Sequence, residues 1–177
     1  MEAIFLDRDG TVTVGVPTYE RVDSLDKVQL LPNTIQALKQ LNELDYGVFF
    51  VTNQAGLAEG LISLKNFNEI NNKAIELIAP SGVEILKTYV CPHGEYDNCE
   101  CRKPKPKLLF DAVSEYGIDL AKSWMIGDRP SDVMTGVNAG TKTILVKTGV
   151  PTVECEQATV TLPSLLEAVR YIAEHTS

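Results

Sequence analysis

The stretch "AIFLDRDGT" (residues 3–11) places a four-residue apolar run directly before two acids, Asp7 and Asp9, and a glycine. The apolar run has the length and composition of a buried strand. An extended backbone points two residues that are two positions apart in the same direction, and a turn at Gly10 can fold Asp9 back beside Asp7. Neighbouring carboxylates repel unless a proton or a cation neutralises them, and Mg²⁺ prefers oxygen ligands of this kind. The stretch therefore predicts a strand that ends in a metal-binding acidic pair.

A structural turn and a calcium loop both fit this acidic pair less well. Asp7 and Asp9 could belong to an Asp-rich turn, but they follow an apolar strand directly and have no helix start nearby to cap. A calcium loop of the EF-hand type requires the spacing D-x-D-x-D-G, which is absent.

The alternation of apolar runs with helical periodicity continues along the chain. Four further strand-like runs are "GVFFV" (47–51), "ILKTYV" (85–90), "SWMIG" (123–127) and "TILV" (143–146). Between and after them, apolar residues at helical spacing predict four helices: one that begins after Pro32-Asn33 and stops near Gly47, one that begins at Ser63, one that stops at Gly117 and one that begins after Pro163-Ser164. Alternating strands and helices with near-continuous apolar strands predict an α/β fold, a Rossmann-like three-layer sandwich with a mainly parallel sheet.

Length and charge limit the classes of function. The chain has 177 residues, 44% of them hydrophobic, which suits a single domain over residues 1–177. It contains no run of ~20 apolar residues and no basic leader, so we expect a soluble, cytoplasmic protein that does not bind a membrane. The net charge of −8 argues against nucleic-acid binding, so an anionic substrate must meet a local cationic site. We expect a monomer or a small homo-oligomer.

Polar clusters follow four of the predicted strands. They are "DRDGT" (7–11), "TNQ" (52–54), "CPH" (91–93) and "GDRPSD" (127–132). In open α/β sheets, ligands bind in a crevice outside the carboxyl ends of the strands. We therefore expect these clusters to converge on one site.

The second and fourth clusters each allow two interpretations. Taken alone, Thr52 and Asn53 are explained equally well as caps of a following turn or helix. Beside a carboxylate pair, their hydroxyl and amide groups could instead donate hydrogen bonds to phosphate oxygens. In "GDRPSD", Pro130 and Asp132 suit a helix start, whereas Asp128 offers a third carboxylate to a metal ion.

A separate metal site is predicted by Cys91, His93, Cys99 and Cys101, which supply three thiolates and one imidazole from two short chelating loops. This is a complete tetrahedral set for structural Zn²⁺. The alternatives are a reduced, exposed cysteine loop, or disulfides, which the single residue between Cys99 and Cys101 disfavours. Cys155 lies far away and is interpreted as an ordinary small thiol.

The clusters in chain order, from "FLDRDGT" through "TNQ" and "CRKP" to "IGDRPSD", resemble the haloacid dehalogenase (HAD) superfamily of phosphohydrolases. The resemblance implies a HAD-like fold in which Asp7 is the nucleophile and Asp9 the general acid and base. It also implies Mg²⁺ held by Asp7, the backbone carbonyl of Asp9, and Asp128.

By the same resemblance, Thr52 and Lys103 would hold the transferring phosphoryl oxygens, although Lys103 could also be a plain surface lysine. Zinc would fold the segment after the third strand into a rigid loop that delivers Arg102 and Lys103 to the crevice. No insertion is long enough for a large cap domain, so substrate contacts are expected from residues 14–28 and from the zinc loop.

Within the superfamily, "CPH…CECRKPKP" resembles a zinc-containing group that includes histidinol-phosphate phosphatases and D-glycero-D-manno-heptose 1,7-bisphosphate 7-phosphatases. The five-residue spacer between His93 and Cys99 and "PTYERVDSLDKV" (17–28) favour L-histidinol phosphate, a metabolite of histidine biosynthesis, as the substrate. "TNQAGLAEG" (52–60) is similar to the heptose enzymes, which are the alternative. The ammonium group of histidinol phosphate would need an anionic contact, for which the candidates are Glu20, Asp23 and Asp26, although a solvated acidic loop explains these three acids at least as well.

A non-catalytic phosphate-binding module or a phospho-accepting signalling domain is the alternative from a different class. A signalling receiver requires an acceptor aspartate at the end of the third strand, where this chain has Cys91. An inactive module would be expected to lose Asp7 or Asp9, and both are present.

Overall fold

Six strands form one parallel sheet, with β1 near its centre. The computed structural model describes residues 1–16, 22–149 and 151–176. The strands are β1 Ala3–Leu6, β2 Gly47–Asn53, β3 Ile85–Cys91, β4 Trp124–Gly127, β5 Lys142–Val146 and β6 Val160–Leu162. Their order across the sheet is β3-β2-β1-β4-β5-β6, and every neighbouring pair is parallel.

In the described part of the chain, five α-helices connect or follow these strands: α1 Thr34–Leu41, α2 Leu64–Ile78, α3 Lys107–Tyr116, α4 Pro130–Ala139 and α5 Leu165–His175. The predicted helix boundaries at Ser63 and Gly117 are confirmed. The Ser63 hydroxyl accepts a hydrogen bond from the Asn66 backbone N–H at 3.1 Å and so caps α2. Gly117 follows α3 with φ of +66°, a conformation that glycine adopts without steric cost.

The core lies on both faces of the sheet because side chains alternate along each strand. On β1, Ile4 and Leu6 belong to a buried cluster that includes residues of α1 and α5. Ala3 and Phe5, which point the opposite way, belong to a second cluster that includes residues of α3. The near-continuous apolar strands are therefore explained by helices on both faces, and the predicted three-layer α/β fold is confirmed.

Two elements differ from the sequence-based expectation. The short strand β6 was not predicted, because three half-buried residues show no periodicity. The first helix ends at Leu41 rather than near Gly47, and the chain continues in turns in which the Leu44 N–H donates to the Leu41 carbonyl.

Within residues 1–16, 22–149 and 151–176, every named strand belongs to this one sheet, and no separate cap unit is built from them. None of the helices has both the length and the apolar character needed to cross a bilayer, as far as the described part of the chain goes.

Candidate active site

The chain leaves β1 through a tight turn that positions the first two acids. The Asp7 N–H donates to the Ile126 carbonyl of β4 at 2.9 Å, which fixes the end of the strand. The Arg8 carbonyl then accepts from the backbone N–H groups of Val12 and Thr13, both at 2.9 Å. Gly10 makes the turn possible with φ of +96°.

Three buried carboxylates meet at the ends of β1 and β4. Asp7, Asp128 and Asp132 each place an oxygen within 4.8 Å of the others. Asp132 also accepts a hydrogen bond from the Arg129 N–H at 3.0 Å and so caps α4, as the sequence predicted. This helix start is what brings the third carboxylate into the group.

Lys103 lies between two of these acids. Its Nζ is 2.6 Å from Asp7 Oδ1 and 2.6 Å from Asp132 Oδ1, and it donates to the Val51 carbonyl at 2.9 Å. Burial alone would lower the pKa of Lys103, but the charges of Asp132 and Asp7 raise it above its ordinary value. Lys103 is therefore a buried, permanently charged ammonium group and not a plain surface lysine.

The acids outnumber this single buried ammonium group, and the pKa values of Asp7 and Asp128 reflect it. Burial raises the pKa of Asp7 well above its usual value, and Asp132 and Asp128 add to the rise against the opposing charge of Lys103. Burial and the charge of Asp132 likewise raise the pKa of Asp128 to about 6. A divalent cation would relieve this excess of negative charge, so the donor set fits Mg²⁺.

The Asp9 carboxylate is held apart from the three-acid group. It accepts hydrogen bonds from Arg8 at 3.0 and 2.7 Å, from Thr13 Oγ1 at 3.0 Å and from Gln54 Nε2 at 3.0 Å. Burial alone would raise the pKa of Asp9, but the Arg8 guanidinium and these hydrogen bonds together lower it. Because these hydrogen bonds occupy the Asp9 carboxylate, the backbone carbonyl of Asp9 is its candidate ligand for a metal ion.

The residues at the carboxyl end of β2 and just after it make separate contacts. Thr52 is buried, and its hydroxyl accepts from Gln54 Nε2 at 2.9 Å, which ties it to the Asp9 carboxylate through one side chain. Asn53 accepts from the Lys103 backbone N–H at 3.1 Å and donates to the Lys103 carbonyl at 3.3 Å. Asn53 therefore anchors the chain at Lys103.

The four predicted zinc ligands converge at the end of β3, where Cys91 is the last residue of the strand. Cys91 Sγ lies 3.6 Å from Cys99 Sγ and 2.9 Å from Cys101 Sγ, and His93 Nδ1 lies 3.7 and 3.2 Å from the sulfurs of Cys91 and Cys101. Four ligands of a tetrahedral Zn²⁺ site stand about 3.5–3.8 Å from one another, a spacing that the Cys91–Cys99 and Cys91–His93 pairs match, while Cys101 lies closer than this to Cys91 and His93. No disulfide joins these cysteines, so the set fits zinc, while Cys155 lies elsewhere with its Sγ 3.3 Å from Gln157 Oε1.

The loop between the metal ligands carries its own anchors. Arg102 donates to the His93 carbonyl at 3.0 Å, so its guanidinium braces the loop backbone. Residues 94–98, here called the loop tip, are closed by a hydrogen bond from the Gly94 N–H to Asp97 Oδ2 at 2.7 Å. The Tyr96 side chain at the tip is 93% exposed.

Three residues at the site were not assigned a site role from sequence. Asp132 was interpreted only as a helix cap, and nothing local announced its ion pair with Lys103. Gln54 lay inside the "TNQ" cluster but had no assigned partner. Arg8 was the clearest missed signal, because a charged residue between two acids after an apolar strand must find a partner when it is buried.

Part of the expected substrate segment lies outside the described residues, namely residues 17–21 with Glu20. Of the other two acids considered for a substrate ammonium group, Asp23 is ion-paired with Lys27 at 2.7 Å. Asp26 lies in a short 3₁₀ turn over Leu25–Lys27.

Comparison with known proteins decides the family. A family model described as HAD-hydrolase-like matches residues 100–168. The D-glycero-beta-D-manno-heptose-1,7-bisphosphate 7-phosphatase of Pasteurella multocida is 39% identical over 97% of this chain and 96% of its own length. The chain belongs to the haloacid dehalogenase superfamily of phosphatases.

Other relatives of this HAD phosphatase refine the comparison. A crystal structure of D,D-heptose 1,7-bisphosphate phosphatase from B. bronchiseptica, complexed with magnesium and phosphate, superposes with a TM-score of 0.88 at 32% identity, covering 98% of this chain and 99% of that one. The histidine biosynthesis bifunctional protein HisB of Actinobacillus pleuropneumoniae is 39% identical, but over 77% of this chain and 38% of its own length.

Proposed function

We propose that this HAD phosphatase removes the 7-phosphate of D-glycero-β-D-manno-heptose 1,7-bisphosphate in a Mg²⁺-dependent reaction. The observation that carries the proposal is near full-length similarity, in sequence and in structure, to phosphatases of that substrate. The expectation of L-histidinol phosphate from sequence is thus less well supported than its alternative. It stays as the second candidate because the histidine-biosynthesis relative is equally identical over a shorter span.

The charges around the crevice favour the same choice. A substrate ammonium group would compete with Lys27 for Asp23. A second phosphate, by contrast, needs positive charge near the first, and Arg129 offers it: its side chain is 45% exposed and lies 3.8 Å from Asp128. These contacts suit a doubly phosphorylated sugar better than a cationic alcohol.

The proposed reaction starts with attack by Asp7. A carboxylate oxygen of Asp7 bonds to phosphorus while the bond from phosphorus to the leaving oxygen breaks, which gives an aspartyl phosphate. Lys103, already 2.6 Å from Asp7, and Thr52 would hold the transferring oxygens. Mg²⁺ bound by Asp7, Asp128 and the Asp9 carbonyl would offset charge on the phosphate and the nucleophile.

Asp9 would move the protons in both steps. It gives a proton to the leaving oxygen, then takes one from the water that hydrolyses the aspartyl phosphate. The lowered pKa of Asp9 suits the second role. In the first step, the negative charge of a phosphate bound nearby opposes the effect of Arg8, so that Asp9 takes up a proton with the substrate.

Zinc, held by Cys91, His93, Cys99 and Cys101, would act structurally. All four positions are filled by protein ligands, which leaves none for substrate or water. Because Arg102 braces the same loop and Asn53 holds the Lys103 backbone, a folded zinc loop and Asn53 would together set the position of the buried ammonium group.

The test is phosphate release by purified protein with Mg²⁺, with the heptose bisphosphate and L-histidinol phosphate offered separately. We expect kcat/KM to be higher for the heptose substrate by at least about tenfold, which corresponds to ~1.4 kcal/mol of transition-state binding. The ³¹P spectrum of the product should retain the signal of the 1-phosphate. A preference for histidinol phosphate would overturn the substrate assignment but not the phosphatase chemistry.

A further inference from the structure

Arg8 is a buried cation that the proposed reaction does not bring into contact with substrate or metal. It sits between the nucleophile Asp7 and the acid–base Asp9, yet its side chain is 1% exposed, so it cannot meet a substrate. A buried guanidinium is costly unless it is fully paired. Its partners therefore show what it does.

On one side, Arg8 binds both oxygens of a single carboxylate. Its Nε donates to Asp9 Oδ1 at 3.0 Å and its Nη2 donates to Asp9 Oδ2 at 2.7 Å. Among the described residues, Arg8 alone reaches both oxygens, since Thr13 contacts only Oδ1 and Gln54 only Oδ2. A two-point guanidinium contact fixes the plane of a carboxylate as well as its position.

On the other side, α2 immobilises the guanidinium. Nη1 of Arg8 approaches Asn71 Oδ1 at 3.5 Å, and its guanidinium carbon lies 5.6 Å from the centre of the Phe67 ring. Asn71 is a buried polar residue on the inward face of α2, and it donates to Thr88 Oγ1 of β3 at 3.0 Å. Helix α2, and through Asn71 also strand β3, thus hold the Arg8 guanidinium that binds Asp9.

We propose that Arg8 is a positioning residue, which fixes the Asp9 carboxyl in the orientation from which it passes its proton to the leaving oxygen. The inference rests on the proposed function. In the affected step, the bond between phosphorus and the leaving oxygen breaks, its electron pair stays on that oxygen, and the Asp9 proton moves there. A misoriented carboxyl would slow this transfer while leaving Asp7, Lys103 and Asp128 in place.

The leaving group separates this role from a general loss of structure. Both candidate substrates release a primary alcohol, whose oxygen must be protonated as it departs, whereas p-nitrophenyl phosphate releases a stable phenolate that needs little protonation. Because kcat/KM covers the steps up to aspartyl-phosphate formation, it isolates the donation of the proton from its later removal from water.

We expect Arg8→Met to lower kcat/KM for the better primary-alcohol substrate by about 100-fold, and for p-nitrophenyl phosphate by less than about fivefold. An equal loss on both substrates would make Arg8 merely structural and overturn the proposal. A rise in kcat/KM would overturn it too, because it would mean that Arg8 restrains proton donation.

A double substitution checks that Arg8 works through Asp9. In an Asp9→Asn background, Arg8→Met should cause almost no further loss on the primary-alcohol substrate, because the group that it positions is already gone. A full additional 100-fold loss would show that Arg8 acts elsewhere.

Two milder variants guard against misfolding of Arg8→Met. Arg8→Lys keeps the positive charge but loses the two-point contact, so it should show the same selective loss of kcat/KM, to a smaller extent. Asn71→Ala leaves both hydrogen bonds between Arg8 and Asp9 intact but removes a contact that holds the guanidinium, so it should show a similarly small selective loss. Arg170→Met, at an exposed arginine of α5, is the control and should change neither rate.

Wild-type protein that is inactive on every ester would refute the proposed function, and this inference with it.

Discussion

Asp7 is the residue on which the proposed chemistry depends most directly. Replacing it with asparagine keeps its size and removes its nucleophilic oxygen, so we expect Asp7→Asn to lower kcat at least about 10³-fold. The melting temperature of metal-free protein should stay the same or rise, because a crowded buried charge is lost. The matched control is Asp111→Asn, at an exposed carboxylate of α3 paired with Lys107, which should retain full activity. Normal turnover by Asp7→Asn would refute the nucleophile assignment.

The raised pKa of Asp128 predicts how Mg²⁺ affinity depends on pH. Metal binding requires the carboxylate, and burial together with Asp132 raises the pKa of Asp128 to about 6, so the carboxyl is mostly protonated at pH 5 and ionised at pH 8. We expect the apparent Mg²⁺ affinity to be about tenfold or more weaker at pH 5 than at pH 8. Calorimetric titration at the two pH values measures it, and equal affinities would contradict the prediction.

The raised pKa of Asp128 also affects the stability of the metal-free protein. A carboxyl whose pKa is raised on folding favours the folded state when protonated, so this contribution is present below about pH 4 and is lost as pH rises through about 6. Mg²⁺ should therefore raise the melting temperature more at pH 8 than at pH 5. In Asp128→Asn that pH dependence should shrink.

Among the residues, those whose role follows from local pattern could be predicted, and those whose role depends on a distant partner could not. Asp7, Asp128 and the four candidate zinc ligands were proposed from sequence because strand ends and ligand spacing are visible there, and the structure brings each group together. The ion pair between Asp132 and Lys103 joins positions 29 residues apart, so only the fold reveals it. The pairing of Asn53 with the Lys103 backbone was missed for the same reason.

At the level of elements, the zinc loop is the clearest target. Cys99→Ser should remove the bound zinc, lower the melting temperature and reduce activity, because Lys103 loses the rigid segment that leads into it. Cys155→Ser is the control. The Cys155 sulfur is remote from the four ligands, so the zinc content of this variant should equal that of the wild type. Metal analysis together with kcat measures both effects. A zinc-free Cys99→Ser variant with unchanged kcat would show that catalysis does not need the loop to be metal-bound.

The loop after β5 gives a second prediction at this scale. A Cβ atom added at Gly149 would lie 2.2 Å from Asp128 Oδ2, so the carboxylate must move. We expect Gly149→Ala to raise the Mg²⁺ concentration needed for half-maximal activity by about 10–100-fold, since overpacking costs about 1–3 kcal/mol. At Gly94 the nearest atom would be 3.5 Å away, so Gly94→Ala should be tolerated. An unchanged Mg²⁺ requirement in Gly149→Ala would contradict this view of the Asp128 pocket.

Elements were predictable where their ends carry local signals. Ser63 and Gly117 mark helix boundaries through their own chemistry, and the predictions there are confirmed. Strand β6 has no such signal: its three residues are half-buried at the edge of the sheet, and pairing with β5 alone defines them. The end of α1 was misplaced because Leu44 still packs against the core from a turn, which imitates helical periodicity.

The whole molecule is organised around one sheet with a cluster on each face. Phe49 and Phe50 are adjacent and fully buried, and they point into opposite clusters. If residues 1–177 fold as one domain, Phe49→Ala and Phe50→Ala should each lower the free energy of unfolding by about 3–5 kcal/mol and shift one shared transition. Fluorescence of the single tryptophan, Trp124, and circular dichroism should then give coincident denaturation curves. Separate transitions would refute the single-domain expectation.

The hydrogen bonds between Asn53 and the Lys103 backbone also bear on how such a protein could acquire new substrates. Because Asn53 holds the chain at Lys103 from β2, the loop tip at residues 94–98 can change in length or composition without moving the buried ammonium group. Gly94 and Asp97 close the tip within itself, and Tyr96 projects from it into solvent. The buried acid and ammonium groups and the surface of the tip can therefore vary independently, which makes the tip a natural point for loop exchange in protein engineering.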